Sequence, residues 1–216
     1  MNVLVIGATG GTGRASVHAL LGRGHAVSVL ARSEPDPPFP EGVRVERGDA
    51  LVAADLDRAL AGQDAAVVAL GRGPNAFKTL LGIGQTTPPD LVARGTREVV
   101  AAMDRQGVRR AVVVTSFGVA ESWASVSLGQ RLFLGLFLKD EFRQKARQED
   151  AVRASRADWT IIRPVQLTDG EASGDPLVSA SGEVRGGSVP RADVGRVIAE
   201  AVADPATYGA TLAVSG

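Results

Sequence analysis

The segment MNVLVIGATGGTGR, residues 1–14, decides the fold of this 216-residue chain. The run from Val3 to Ile6 is apolar and rich in β-branched residues, which is typical of a buried parallel strand. Three glycines follow at Gly7, Gly10 and Gly13, and the residues after them place apolar side chains on one face of a helix. The segment therefore predicts a strand, a glycine-rich turn and a helix in succession.

Each of these glycines has a separate physical role if the turn binds a dinucleotide. Gly7 permits a tight turn out of the strand, Gly10 lets the backbone approach a pyrophosphate, and Gly13 lets the helix pack close to the strand. Free N–H groups at the start of the helix would then face the phosphates. A purely structural turn would also use glycine, but the position between strand and helix favours dinucleotide binding. Four further residues of the segment are candidate cofactor contacts: Thr9, Gly11, Thr12 and Arg14.

The composition fits one globular domain over residues 1–216. Hydrophobic residues are 44% of the chain, and basic and acidic residues are equal in number, so nothing predicts binding to nucleic acid or to a membrane surface. The absence of cysteine excludes disulfides and a thiol nucleophile, and with only His18 and His25 we predict no metal site. No leader segment is evident, and the longest apolar run, Leu132 to Leu138, is too short to span a bilayer. We therefore expect a cytoplasmic protein.

The end of the second predicted strand, residues 26–31, indicates which dinucleotide is bound. An NAD-specific site usually has Asp or Glu at this position to bind the ribose hydroxyls. Here the position holds Arg32, with Ser33 beside it. A guanidinium and a hydroxyl suit a 2′-phosphate, which a carboxylate would repel, and Arg14 could reach the same phosphate. Both arginines could instead be solvated surface charges, but the pattern predicts NADP(H) rather than NAD(H).

Further candidate residues follow the other predicted strands, because ligands bind outside the carboxyl ends of parallel strands. Asp49 follows the third strand and either contacts the adenine or caps the next helix; the sequence leaves both open. Gly71 closes the fourth strand and should pass close to the cofactor. Thr115 and Ser116 stand at the end of the fifth strand. Three more residues at these strand ends are candidate cofactor contacts: Ala50, Leu70 and Pro164.

Several motifs, in order, resemble atypical short-chain dehydrogenases/reductases of the NAD(P)H-binding, NmrA-like group. Within that group the chain is similar to the flavin reductase and biliverdin-IXβ reductase type. The matching pieces are GATGGTGR, VLARS, GDA, ALG, GTREVVAAMDRQGVRRAVVVTSF, RQEDAVRASRADWTIIRP and SVPRADVGRVIAEAVADP. The resemblance implies an α/β Rossmann fold, a doubly wound parallel sheet of about seven strands with helices on both faces. The alternation of strand and helix patterns along the chain predicts the same fold.

The chain departs from typical short-chain dehydrogenases, which use a tyrosine and a lysine four residues later. Its only tyrosine, Tyr208, has no lysine at that spacing, and Lys139 and Lys145 have no tyrosine partner. The resembled reductases place a serine or threonine at the end of the fifth strand. Thr115 and Ser116 match it and are the candidate catalytic residues.

Three segments are expected to cover the substrate: residues 71–90, 118–138 and 164–190. The semi-apolar stretch from residue 121 to 138 could be a core helix, a substrate wall or a dimer surface. The candidate substrate contacts are Phe117, Trp123 and Gln166. Gln166 stands where the resembled reductases can carry a histidine, and an amide cannot donate a proton as an imidazolium would. This difference argues against strict biliverdin reductase activity.

The sequence thus predicts an NADPH-dependent reductase that passes hydride to a planar small molecule such as a flavin, a quinone or a tetrapyrrole. Solvent could supply the proton. Two other functions stay open. One is a redox sensor that binds NADP(H) without turnover; the other is a biosynthetic carbonyl reductase or epimerase, which would need a dedicated acid. The expected assembly is a monomer or homodimer.

Overall fold

The computed structural model describes residues 1–71, 88, 90–119 and 139–216. These residues form ten β-strands: β1 (Asn2–Ile6), β2 (Ala26–Ala31), β3 (Arg44–Arg47), β4 (Ala65–Val68), β5 (Arg110–Val114), β6 (Asp158–Pro164), β7 (Gln166–Thr168), β8 (Leu177–Ser179), β9 (Ser188–Pro190) and β10 (Ala210–Ser215). The α-helices of the same residues are α1 (Gly11–Gly22), α2 (Ala53–Leu60), α3 (Leu91–Gln106), α4 (Lys139–Arg153) and α5 (Arg191–Ala203).

Eight of these strands form one sheet in the order β3-β2-β1-β4-β5-β6-β10-β8. The first seven run parallel, and β8 pairs antiparallel with β10 at the edge. The order 3-2-1-4-5-6 is that of the Rossmann fold, so the predicted doubly wound α/β fold is confirmed. The seven parallel strands match the predicted number, and β8 is an additional strand. Strands β7 and β9 form a separate parallel pair.

Strand β1 lies in the centre of the sheet and is covered on both faces. Its residues Val3 and Val5 pack in the core cluster that includes α1 and α5. Leu4 and Ile6 pack in the second cluster, which includes α2 and α3. All four side chains are buried. Coverage of both faces explains why this strand is a continuous apolar run rather than an alternating one.

Helix α1 begins earlier than the sequence pattern predicts. Its first residue is Gly11, whereas the apolar periodicity begins at Ala15. Glycine disfavours helix interiors, so a first turn that contains Gly11 and Gly13 gives no helical signal in the sequence. The early start places Gly13 inside the helix and brings the first turn up to the end of β1.

The three segments expected to cover the substrate are described to different extents. The segment 164–190 is described in full and contains three short strands, β7, β8 and β9. Most of 71–90 and 118–138, with Trp123, lies outside the described residues, so their role stays a prediction. Within the described residues, no helix is both long enough and apolar enough to cross a membrane.

Candidate active site

The turn between β1 and α1 is so tight that two of its positions accept only glycine. Gly7 has a φ of 84°, and a Cβ there would lie 2.5 Å from the carbonyl oxygen of Ala69, just after β4. A Cβ on Gly13 would lie 2.2 Å from the carbonyl oxygen of Gly7. Both contacts involve backbone atoms, so no side-chain movement could relieve them. The geometry agrees with the predicted tight turn at Gly7 and the close helix packing at Gly13.

The same turn leaves three backbone donors free at the start of α1. The first helical hydrogen bond runs from the Arg14 N–H to the Gly10 carbonyl oxygen, at 2.9 Å. Within the described residues, the N–H groups of residues 11–13 have no acceptor. A Cβ on Gly10 would meet nothing nearer than the Gly7 carbonyl oxygen at 3.5 Å, so the space beside it is open. Free donors at the positive end of a helix next to open space form a cradle for an anion such as a pyrophosphate.

The residues predicted to bind a 2′-phosphate differ in whether their side chains already have a partner in the described part of the protein. Arg32 and Ser33 are exposed after β2, and in the described part of the chain the Arg32 guanidinium has no partner. Arg14 instead donates a hydrogen bond to the carbonyl oxygen of Pro37 at 2.6 Å, and its guanidinium lies 4.7 Å from the centre of the Phe39 ring. Arg14 therefore holds the loop after β2, and Arg32 is the cation that this loop leaves available.

Asp49 follows β3 and holds the next turn. Its Oδ1 accepts a hydrogen bond from the Leu51 N–H at 2.9 Å, which closes an Asx turn. Helix α2 begins at Ala53, is preceded by Val52 and has no side-chain cap. The alternative that Asp49 caps this helix is therefore wrong, because Asp49 lies too far ahead of its first turn. Contacts of Asp49 and of the buried Ala50 with the adenine stay predictions.

Lys145, which has no tyrosine partner in the sequence, lies at the carboxyl ends of β4 and β5. Its ammonium donates hydrogen bonds to the carbonyl oxygens of Leu70, at 3.0 Å, and Val114, at 3.2 Å. The residue is 8% exposed. Burial lowers the pKa of the ammonium to about 8, against the opposing effects of Glu141 and Glu149. Within the described residues the third N–H has no acceptor, so it can serve a ligand.

A buried stripe on α4, three of whose four residues are polar, brings Lys145 to this place. Lys145, Gln148, Glu149 and Val152 are spaced as one helix face, and all four are buried. The Gln148 amide donates to the Thr96 hydroxyl of α3 at 3.0 Å, which ties the two helices together. In the sequence, this part of the site is indicated by polar residues at the spacing of a core-facing helix stripe. The pattern is hard to recognise because α4 carries many other charged residues.

Glu149 is a buried anion beside the site, and it accepts a hydrogen bond from the hydroxyl of Thr115. The residue is 1% exposed, and its carboxylate accepts hydrogen bonds from Thr115 Oγ1, at 2.8 Å, and from Arg163 Nε, at 2.9 Å. Arg163 Nη2 donates to the second carboxylate oxygen at 2.5 Å. The Thr115 hydroxyl is thus directed into the protein. This placement suits a role in positioning the Glu149 carboxylate better than the catalytic role predicted for Thr115.

Ser116 stays available at the end of β5. It is half-buried, and within the described residues its hydroxyl donates a single long hydrogen bond, 3.3 Å, to the carbonyl oxygen of Phe117. Phe117 is also half-buried and is fixed by a hydrogen bond from its N–H to the Pro164 carbonyl oxygen, at 2.9 Å. The opposite placement of Thr115 and Ser116 is what the alternation of side chains along a strand predicts.

Two other residues named from the sequence lie in different surroundings. Gln166 is exposed on β7, where its N–H donates to the Gly187 carbonyl oxygen at 3.2 Å. Tyr208 lies next to Arg110, the first residue of β5, with its ring centre 4.5 Å from the guanidinium carbon. Tyr208 is therefore at the amino end of the strand whose carboxyl end leads to Ser116, so it does not belong to this site.

Comparison with known proteins identifies a dinucleotide-binding family. A protein-family model described as NAD(P)H-binding matches residues 7–205. The match begins at the glycine turn and includes α4, α5 and the carboxyl ends of β2 to β6.

Three known proteins illustrate the similarity. An uncharacterized chloroplastic protein of Arabidopsis thaliana is 30% identical over 208 residues, which are 93% of this chain and 71% of that protein. The (4-alkanoyl-5-oxo-2,5-dihydrofuran-3-yl)methyl phosphate reductase of Streptomyces griseus is 30% identical over 221 residues, with coverage of 99% and 67%. The solved structure of ChuY, an anaerobilin reductase from Escherichia coli O157:H7, is 25% identical and superposes with a TM-score of 0.77, covering 100% of this chain and 97% of ChuY.

The different surroundings of Gly10 and Gly13 give opposite expectations for substitution. Gly10→Val should leave a folded protein with no measurable NADPH binding, because the backbone at Gly10 (φ −76°, ψ 160°) suits valine while its side chain fills the anion cradle. Gly13→Ala should lower the free energy of unfolding by at least about 1–3 kcal/mol, since its methyl group overlaps the Gly7 carbonyl.

Fluorescence titration with NADPH and urea unfolding of both variants measure the two effects. Wild-type NADPH affinity in a folded Gly10→Val protein would show that the turn has only a structural role.

Proposed function

The chain belongs to the NAD(P)H-binding family and is an NAD(P)H-dependent oxidoreductase, and on this basis we propose that it uses NADPH to reduce a planar small molecule. Flavins, quinones and tetrapyrrole-like compounds are the proposed acceptor classes. NADPH, when bound, supplies the hydride, and the protein orients acceptor and cofactor. We also propose that the protein is cytoplasmic and is a monomer or a homodimer.

One observation carries this proposal: an anion cradle and a buried ammonium lie at the same edge of the sheet. The cradle of residues 11–13 follows β1, and Lys145 lies at the ends of β4 and β5. These three strands are consecutive neighbours and parallel. Since neighbouring strands are about 4.8 Å apart, one extended dinucleotide can reach from the cradle to the end of β5.

The residues at the end of β5 have distinct proposed roles. Ser116 is proposed to donate a hydrogen bond to the nicotinamide or the acceptor, because in the described part of the chain its hydroxyl makes one long hydrogen bond. Lys145 is proposed to hold a proton next to the acceptor, with its position fixed by the two carbonyl oxygens. Phe117, Gln166 and the segment 164–190 are proposed to border the acceptor.

Lys145 also favours a second candidate, a reductase of conjugated carbonyl compounds. Such a reaction needs a donor for the developing negative charge on oxygen, and a buried ammonium can provide it. The Streptomyces griseus relative is named as the reductase of a 5-oxo-dihydrofuran phosphate. The buried ammonium and this relative therefore favour the carbonyl reductase. No feature of the described site favours the redox sensor.

An acceptor screen tests the proposal. Purified protein with NADPH is given flavin mononucleotide, a quinone, biliverdin or an unsaturated lactone, and the loss of NADPH absorbance is followed. Steady oxidation with a planar conjugated acceptor is expected. Tight NADPH binding with no turnover on any compound of the panel would support the sensor instead.

The cofactor preference is tested at Arg32. The wild type should bind NADPH more tightly than NADH, and Arg32→Asp should lose about 1.5–3 kcal/mol of NADPH binding because a charge-assisted contact is replaced by repulsion. Arg109→Asp, the same charge reversal just before β5, should leave both affinities unchanged. Tighter binding of NADH by the wild type would contradict the preference.

The role of Ser116 predicts a modest effect on turnover. Ser116→Ala should lower kcat with the acceptor on the order of tenfold, the loss of one hydrogen bond worth roughly 1–1.5 kcal/mol. Tyr208→Phe is the control and should not change kcat, because Tyr208 lies at the opposite end of β5. If Tyr208→Phe abolished activity with NADPH binding intact, the acid would have been assigned to the wrong residue.

The lowered pKa of Lys145 predicts a pH profile. The ammonium loses its proton around pH 8, so turnover should be nearly flat from about pH 6 to 7, fall to about half near pH 8 and fall further at higher pH. Among the residues that the structure describes, Glu141 and Glu149 on α4, and Arg163 paired with Glu149, are the charged groups around it. Lys145→Met should have lower turnover without this fall. An unchanged alkaline fall in Lys145→Met would assign the titration to another group.

A further inference from the structure

A second arginine lies directly on the anion cradle, although it is distant in the sequence. Arg191 is the first residue of α5, and its side chain covers Gly11, the first residue of α1. A Cβ on Gly11 would lie 2.7 Å from Arg191 Cδ and 2.8 Å from Arg191 Nε. Gly11 is therefore the position where the absence of a side chain makes room for this arginine.

The packing of α5 on α1 fixes this contact. A Cβ on Gly195 would lie 2.6 Å from the carbonyl carbon and oxygen of Ala15, so the two helices touch backbone to backbone one turn beyond Arg191. The close approach leaves Arg191 little freedom at its Cα. Its guanidinium thus belongs to the same edge as the free N–H groups of residues 11–13.

The position of the Arg191 charge favours the binding of an anion beside it. The side chain carries a positive charge at the N-terminus of its own helix and beside the N-terminus of α1, and cations are disfavoured at both places. Its ionic partner among the described residues is Asp169, through Nη1 and Oδ1. The Asp169 side chain is 87% exposed, whereas that of Arg191 is only 26% exposed. An ion pair with so exposed a carboxylate is weak and easily exchanged.

We propose that Arg191 is a cofactor-binding residue that contacts the dinucleotide pyrophosphate, and that Asp169 occupies its guanidinium when no dinucleotide is bound. The inference rests on the dinucleotide binding of the proposed function. Arg191 adds a full positive charge and a bidentate donor to the backbone cradle. Asp169 acts as a competitor that must be exchanged.

The exchange requires no rearrangement of the chain beyond Asp169. The next turn is anchored to α5 by Asp193, whose carboxylate accepts hydrogen bonds from the Ser173 N–H at 2.7 Å and the Gly174 N–H at 3.3 Å. Arg196 donates to the Gly174 carbonyl oxygen at 3.0 Å. Asp169 lies between this anchor and β7, so its side chain can leave Arg191 while the flanking backbone stays in place.

Two substitutions with opposite expected signs test the proposal by titration of NADPH. Arg191→Met should weaken NADPH binding by about tenfold to a hundredfold, as expected for a charge-assisted contact. Asp169→Asn should tighten it by a few-fold, because the competitor is lost. In the double variant the Asp169→Asn effect should vanish, since Asp169 acts through Arg191. Arg23→Met removes an ion pair with Glu200 at the far ends of the same two helices and should change nothing.

A ligand without a pyrophosphate locates the contact. Adenosine 2′-monophosphate, measured by competition, should bind Arg191→Met as well as it binds the wild type. Arg191→Lys should recover part of the NADPH affinity, and thermal unfolding checks that each variant is folded.

Wild-type NADPH affinity in Arg191→Met, equal losses for the two ligands, or weaker binding by Asp169→Asn would each overturn the inference while leaving the proposed function intact. A wild type that binds neither NADPH nor NADH would overturn the proposed function and the inference together.

Discussion

The contact between α1 and the end of β1 is the constraint on which the cofactor edge depends. The Cα of Gly13 approaches the carbonyl oxygen of Gly7 so closely that even a methyl group would overlap it. Because the helix begins so near the strand, its first N–H groups open toward the edge where β4 and β5 also end. Gly7, which has a positive φ, brings the same turn into close contact with the backbone just after β4. A backbone contact without side chains thus fixes the position of the anion cradle.

Buried charge is the second organising feature, and it is concentrated on α4. Glu149 is compensated by Arg163 and by the Thr115 hydroxyl, so this buried anion has the partners that such a group requires. Lys145 is bonded only to neutral carbonyl oxygens among the described residues, and burial therefore lowers the pKa of its ammonium. A group poised near neutral pH at a ligand edge is typical of functional sites rather than of structural ion pairs.

The cations of this edge form a series that a dinucleotide would match, although the chain as a whole carries no net charge. Arg32 follows β2 and is exposed, Arg191 lies on the glycine turn, and Lys145 lies at the ends of β4 and β5. A 2′-phosphate, a pyrophosphate and a nicotinamide would meet these groups in that order. Local placement of charge, not overall charge, is what favours an anionic cofactor here.

The sequence by itself determined the doubly wound fold, because strand and helix periodicity and glycine spacing are local properties. The alternation of side chains along a strand, which is also a local property, accounts for the different surroundings of Thr115 and Ser116. Only the tertiary structure decided that Lys145 lies at the ends of β4 and β5, because the neighbours of a helix face depend on which sheet edge it covers. It alone brought Arg191 to Gly11, through the backbone contact of α5 with α1. Residues so far apart in the chain meet only by helix packing, which no local sequence pattern encodes.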